Sequence, residues 1–136
     1  MVTTIDNNHN FALFLSDQLD VIVSYWDSNL ICNYANQAFS KWLGKSVKSI
    51  VGHLTMQELL GPHFAKNEVH LKGTLDGLKH QFETSVNINP NQVRCTLFKC
   101  HPHIQDNIVC GFYVHTTDIS YIKNLERAAD TSGGLI

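Results

Sequence analysis

Residues Gln92–Ser120 read QVRCTLFKCHPHIQDNIVCGFYVHTTDIS. Two runs rich in Val, Phe, Tyr, Thr and Cys, Gln92–His103 and Ile108–Thr117, flank the short polar turn Gln105-Asp106-Asn107. β-Branched and aromatic residues suit a pleated, half-buried surface, so the spacing predicts a long antiparallel hairpin. The second strand ends in Asp118-Ile119-Ser120, and the polar segment Tyr121–Asp130 follows at once as an expected helix. A hairpin that leads straight into an exiting helix suits a module that passes a change in its sheet to something beyond its end.

Working back from that hairpin, Lys79–Ile88 alternates, with Phe82, Thr84, Val86 and Ile88 on one face and Glu83, Ser85 and Asn87 on the other. That is the pattern of a half-buried strand. Asn89-Pro90-Asn91 turns it into the hairpin, which makes a three-stranded meander. Further upstream, Pro62 suits the first turn of a helix that reaches Leu78. Thr55–Leu60 is a shorter helix, with Thr55 as N-cap and Glu58 at the matching capping-box position. Ser46–Gly52 reads as connecting chain, and Asn36–Leu43 as a short helix stopped at Gly44. Asp20–Trp26 and Leu30–Tyr34 form a first hairpin around Asp27-Ser28-Asn29. Phe11, Phe14, Leu15 and Leu19 fall at helical spacing on a segment too short to stand alone. Met1–Asn10 is polar and expected to be loose. The predicted class is α+β: a five-stranded antiparallel sheet with helices on one face and the leading helix, residues 11–19, on the other.

A length of 136 residues fits one domain, and 43% hydrophobic content supports a globular core. The formal net charge of −2, with no basic run, argues against a nucleic-acid surface, which needs clustered Lys and Arg. No apolar run approaches the ~20 residues of a membrane span. The first ten residues carry Asp6 and no Lys or Arg, unlike a signal peptide. The expectation is a cytoplasmic protein, or the cytoplasmic part of a larger one. The cysteines, at positions 32, 95, 100 and 110, form no Cys-x-x-Cys pair and read as buried or half-buried thiols.

This order of elements, with these residues, resembles a PAS domain over roughly Leu19–Ser120. The opening hairpin carries part of the resemblance. Tyr34-Ala35-Asn36-Gln37-Ala38-Phe39 is similar to the family's YxNxAF start of its first core helix. Gly52-His53-Leu54, Glu58-Leu59-Leu60-Gly61, Phe64, Asn67, Leu75, Gly77 and Phe82-Glu83 resemble a common bacterial subgroup. Gly111-Phe112 and Asp118-Ile119-Ser120 are similar to the last strand and its Asp-Ile-Thr-like exit. The resemblance implies a sensory and dimerisation module over residues 20–120, with residues 121–136 as exiting helix or linker. Bacterial members of this kind sit ahead of histidine kinases or diguanylate cyclases, so it also implies an effector, in cis or as a partner protein. A fold of this kind does not fix function, which must be argued from the site.

No Gly-rich phosphate loop, Gly-x-Ser-x-Gly elbow or His-Glu-x-x-His motif is present, so an enzyme is a remote alternative. Flavin-binding relatives that sense light carry a Cys in a Gly-x-Asn-Cys-Arg-type segment, and the corresponding residues 46–53 hold none. Haem-binding relatives use a His on the long helix. His70 lies there, but helical spacing turns it roughly 110° from the Phe64, Leu71, Leu75 and Leu78 face, toward solvent. A haem sensor is therefore a second remote alternative, and the sequence names no cofactor. His101, His103, Cys100 and Cys110 flank the hairpin turn, but alternation puts Cys100 on the face opposite His101 and His103, which disfavours zinc.

In ligand-binding members the residue two before the final Asp points inward. That implies Thr116, Val114 and Phe112 inward on the last strand, and Thr96, Phe98 and Cys100 beside them. With Phe39, Trp42, Leu71, Phe82 and Thr84 they would line a mostly apolar small-molecule pocket. The alternative is that the same side chains interlock with no void, leaving a dimerisation module that senses nothing. Outward, Leu97, Tyr113, His115 and Cys95 are too apolar for bare water. The face Phe11, Phe14 and Leu15 of the leading helix is expected to cover them, in cis or from the second copy of a homodimer. Asp118 is expected to act as a signal junction, accepting hydrogen bonds from the first N–H groups of the exiting helix.

Overall fold

A computed structural model describes residues 21–89 and 91–132, and side chains as far as residue 129. The leading segment 1–20, including the expected helix 11–19, and the last residues 133–136 lie outside the described residues. The elements in order are β1 (Ile22–Asp27), β2 (Cys32–Ala35), α1 (Gln37–Leu43), α2 (Val47–Ile50), α3 (Met56–Leu60), a 3-10 turn (Gly61–His63), α4 (Phe64–Leu75), β3 (His80–Asn89), β4 (Gln92–Gln105), β5 (Ile108–Asp118) and α5 (Ser120–Ser132). The strands form one antiparallel sheet in the order β2-β1-β5-β4-β3. The expected α+β class, sheet and helix order are therefore found.

The β4–β5 hairpin is longer and tighter than its composition suggests. Gln105 pairs with Ile108, so the turn is only Asp106-Asn107, with φ of 54° and 63°. Two successive positive φ values define the primed turn whose twist matches that of the strands, and Asp and Asn tolerate it. Pro102 is accommodated because β3 stops pairing at His80–Cys100, so its missing N–H faces no neighbouring strand. In the first hairpin Leu30 belongs to the turn rather than to β2. It takes a positive φ of 62°, held by its N–H to the Asp27 carbonyl at 2.9 Å, while the Asp27 carboxylate accepts from Asn29 and Ile31.

The helices are capped largely as their sequences predict. Asn36 accepts from the Phe39 N–H at 3.0 Å, and Gly44 ends α1 in the left-handed region. Thr55 and Glu58 complete the capping box of α3, and those hydrogen bonds hold the Glu58 carboxyl below its ordinary range. Residues 46–52, expected as plain connection, contain the helical turn α2, capped by Ser46 and anchored by the fully buried Ile50.

The core lies between the sheet and α1–α4, and joins Trp26, Phe39, Leu43, Ile50, Met56, Leu60, Leu71, Phe98, Phe112 and Val114 among others. α4 presents a different face from the expected one. Its buried residues are Asn67, Leu71 and Thr74, with Phe64 and Leu75 partly buried, while Leu78 lies beyond the helix and is 62% exposed. Two of the three buried residues are polar, and each has a partner. Asn67 donates to Thr84 Oγ1 at 2.6 Å and to the His63 carbonyl at 2.9 Å; Thr74 donates to the His70 carbonyl at 3.0 Å. A hydropathy pattern misses such a stripe because satisfied polar groups bury at little cost. Among the described residues no helix is long and apolar enough to cross a membrane.

Candidate functional site

Strand register sorts the residues by face. On the helix side, Ser24, Val114 and Cys100 share one row, with Trp26, Phe112 and Pro102 in the next. Phe82, Phe98 and Thr116 share another, and Thr84, Thr96 and Asp118 the last. The residues expected inward are therefore inward. Leu71, Phe82, Phe98, Cys100, Phe112 and Val114 join Phe39 in one buried cluster, with Trp42 packed against it. Thr84, Thr96 and Thr116 are buried beside them. The inner wall also takes Ser24, Trp26 and Asn67, which sequence reasoning did not include, and Val86, which alternation put on the face of Phe82 and Thr84. For β1 the available signal was alternation through Ser24 and Trp26, obscured by the apolar outward residues Val23 and Tyr25.

The polar groups on this wall are turned on each other. Thr96 Oγ1 donates to the Thr84 carbonyl at 2.9 Å, Thr84 Oγ1 accepts from Asn67, and Trp26 Nε1 donates to Ser24 Oγ at 2.8 Å. Among the described residues, no buried side-chain nitrogen or oxygen lacks a partner. Burial pushes the Cys100 thiol up to about 12, and also the Cys32 thiol, so both stay protonated near neutrality.

Asp118 stands at the last inward row, where β5 passes into α5. One of its oxygens accepts from Trp42 Nε1 of α1 at 2.9 Å and from Arg94 Nε of β4 at 2.8 Å; the other accepts from the Ser120 N–H at 3.0 Å. Partial burial pushes the carboxyl up, but the hydrogen bonds from Arg94, Trp42 and Ser120 outweigh it and hold the group near about 2. Arg94 is raised in turn by its bond to Asp118. Ser120 adds a second tie, its hydroxyl accepting from the Cys95 N–H at 2.9 Å. Sequence reasoning found Asp118 but not Trp42 or Arg94 as its partners, because they come from positions 76 and 24 residues away.

The outer face carries an aromatic cluster. Tyr25 Oη lies 2.7 Å from His103 Nδ1, and the Tyr25 and Tyr113 rings meet edge to face at 4.9 Å. Burial pushes the Tyr113 phenol up to about 12. Gly111 lies beneath: a Cβ there would come within 2.4 Å of the Trp26 carbonyl and 2.7 Å of the Tyr25 hydroxyl. Leu97 and His115 are half-buried on this face, while Phe11, Phe14 and Leu15, expected to cover it, lie outside the described residues.

Two expectations are corrected. His70 does not point to solvent: it is half-buried, stacked on Phe82 at 4.6 Å, with Nδ1 3.2 Å from His80 Nδ1. Gly73 leaves the room that the His80 ring fills, which draws both imidazoles under the sheet edge. Cys110 is exposed rather than buried, because it follows the tight turn on a stretch of β5 whose partner strand is near its end. Cys100 faces the core while His101 and His103 face outward, as alternation requires, and no group of three metal-ligating residues comes together among the described residues.

The family model described as PAS fold matches residues 16–121. Among solved structures, the chain is similar to the PAS domain of a protein from Colwellia psychrerythraea, with a TM-score of 0.70 and 16% identity, covering 86% of this chain and 98% of that one. It is similar to a Rhodobacter sphaeroides LOV protein, with a TM-score of 0.72 and 17% identity over 90% of this chain and 74% of that one. A PAS domain from a two-component sensor histidine kinase matches with a TM-score of 0.66 and 11% identity, over 85% and 99% of the two chains. No curated protein matches the chain in sequence at a significant level.

Proposed function

The chain belongs to the PAS fold family, and from that premise we propose that it is a sensory or signalling module whose output is α5. Members of this family are sensory modules rather than catalysts, and the reading contains no catalytic step. The observation that carries it is the joint at Asp118. One carboxylate holds a helix of the inner layer through Trp42, the sheet through Arg94 and the first N–H of α5 through Ser120. A shift of α1 against β4 must strain at least one of these bonds, so the angle at which α5 leaves is coupled to the core. The helix itself supports an outside partner. Tyr121, Ile122 and Leu125 are 73%, 53% and 52% exposed, an apolar set with nothing described against it. On this reading the partner is a second copy of the chain, an effector domain in cis or a separate protein, and the setting is the cytoplasm of a bacterium.

In the sensing form of this proposal a small molecule occupies the inner wall formed by Phe39, Trp42, Leu71, Phe82, Phe98, Phe112 and Val114, with Thr84, Thr96 and Thr116 as its hydroxyls. The mutual bonding of Thr84, Thr96 and Asn67 favours the second reading, a filled core that serves dimerisation and relay only. Native mass spectrometry distinguishes them, since a retained small molecule supports sensing and a bare dimer supports relay. The joint is tested by amide exchange on Asp118→Ala. Faster exchange confined to α5 is expected, with β4 and β5 still protected. Unchanged exchange in α5 at normal stability overturns it.

A further inference from the structure

We propose that His70 of α4 and His80 of β3 form an open two-histidine site for a tetrahedral divalent cation, Zn²⁺. Their Nδ1 atoms lie 3.2 Å apart. Zinc–imidazole bonds of about 2.0–2.1 Å at the tetrahedral angle set two ligand nitrogens about 3.3–3.4 Å apart. Adjacent ligands of a square-planar ion need about 2.9 Å, so the observed spacing favours tetrahedral geometry.

Both rings are held in place by the fold. Phe82 stacks on the His70 ring at 4.6 Å with an interplanar angle of 8°. The His80 ring fills the space over Gly73, where a Cβ would come within 2.8 Å of Cε1 and run into Nε2. Both histidines are half-buried, so an ion reaches them from solvent.

The donor set selects the ion. No third His, Cys, Asp or Glu joins the pair among the described residues, so it lacks the several oxygens that Ca²⁺ and Mg²⁺ require. Cys100 pairs with His80 in register, but it is buried and its thiol is pushed up to about 12, so it offers no thiolate at neutral pH. Two imidazole nitrogens suit Zn²⁺ with water at its two remaining positions. The carboxylates around the pair are engaged or exposed: Glu68 with Lys72, Glu83 with Lys123, and Asp76 on the surface. Of the other lysines nearby in the chain, Lys66 borders a surface cleft with Glu83 and Ser85, and Lys79 acts on His101 of the outer face. Their charge opposes a cation. With that and only half the ligands of a structural zinc site, the expected Kd is on the order of 10 µM.

In the neutral pair one Nδ1 donates its hydrogen to the other. Zn²⁺ takes the lone pairs of both, so that proton moves to Nε2 of its own ring. The ion then ties α4 to the edge strand β3. None of this rests on the reading of α5 as the output helix.

The test is a titration of the full chain with zinc chloride, followed by imidazole nitrogen spectra, with magnesium chloride as the control. Saturable changes at His70 and His80 are expected, at one ion per chain. His70→Gln and His80→Gln should each weaken binding at least about tenfold, and His101→Gln should leave it unchanged. Gly73→Ala keeps both ligands and should fold, since Ala favours a helix, but its Cβ displaces the His80 ring. Zinc affinity should then fall severalfold. Co²⁺ in place of Zn²⁺ should show the strong visible absorption of a tetrahedral ion. Binding that fails to saturate, that magnesium reproduces, that survives both histidine variants or that His101→Gln removes overturns the site. Undiminished binding by Gly73→Ala overturns the claim that the fold positions the rings. A weak, six-coordinate Co²⁺ spectrum overturns the geometry and with it the choice of ion.

Discussion

The two faces of the sheet are made from the same strands, residue by residue in alternation, yet they solve burial differently. On the inner face, Trp26, Phe98 and Phe112 are essentially inaccessible and lie in one continuous apolar cluster. Its few polar groups close on one another, within the sheet or, as Asn67 does with Thr84, from helix to sheet. On the outer face, Tyr25 is buried but Tyr113, His103, Leu97 and His115 are only half-buried, and the contacts are specific: a Tyr–His hydrogen bond, an edge-to-face Tyr pair and a glycine that makes room for them. The inner face can be built from any side chains of the right volume, whereas the outer face depends on particular atoms meeting. Asp118, at the end of β5, joins the two regimes, since its carboxylate is aimed inward while the helix it anchors leaves beside Cys95 of the outer face.

That contrast can be broken most severely at Phe98. Phe98→Ala should cost about 3–5 kcal/mol, because the removed ring leaves a cavity inside the cluster. In urea denaturation the loss should appear as a lower midpoint at nearly unchanged slope. An effect below that of an outer-face truncation such as Tyr113→Ala would end the distinction between the faces.

Asp118 comes next. Its folded value near about 2 lies below the ordinary 3.8, so it favours the folded state above the unfolded value and loses that contribution as pH falls through the folded one. The loss should therefore run from about pH 4 down to pH 2 and amount to about 2 kcal/mol, at most, by the usual conversion. Asp118→Asn should be less stable at pH 7 and should lack this part of the acid transition. Parallel acid curves for the two proteins would show that the carboxylate contributes nothing.

On the outer face, Tyr25→Phe should cost about 0.5–1.5 kcal/mol, the net worth of one hydrogen bond, here that to His103. A matching double variant with His103→Ala should show coupling between the two positions. Strict additivity would mean that the 2.7 Å contact carries no energy.

The smallest perturbation is chemical. A neutral alkylating reagent at pH 7.5 should modify Cys110 first, Cys95 more slowly, and Cys32 and Cys100 only on unfolding. Labelling of Cys100 in the folded protein would place a channel through the inner face.

Much of this was legible before any coordinates. Alternation in residues 82–88 separated the two faces of that strand, the resemblance to the family implied which face of residues 112–116 points inward, and Thr55 with Glu58 and Gly44 marked helix ends; the alternation and the caps depend only on a residue's nearest neighbours along the chain. The order of strands and helices followed from them, and with it the family. What the sequence could not determine involves partners far apart in it. His70 turned inward because His80 and Phe82, ten and more residues on, offered it a stacking and hydrogen-bonding place beside Gly73. α4 buried Asn67 and Thr74 because Thr84 and local carbonyls satisfied them, which no helical hydropathy count contains. The joint at Asp118 needed Trp42 and Arg94 brought to one carboxylate. Local chemistry is written in short windows of sequence; a charge network or a cleft exists only once distant segments have packed, and packing alone decides which groups face each other across it.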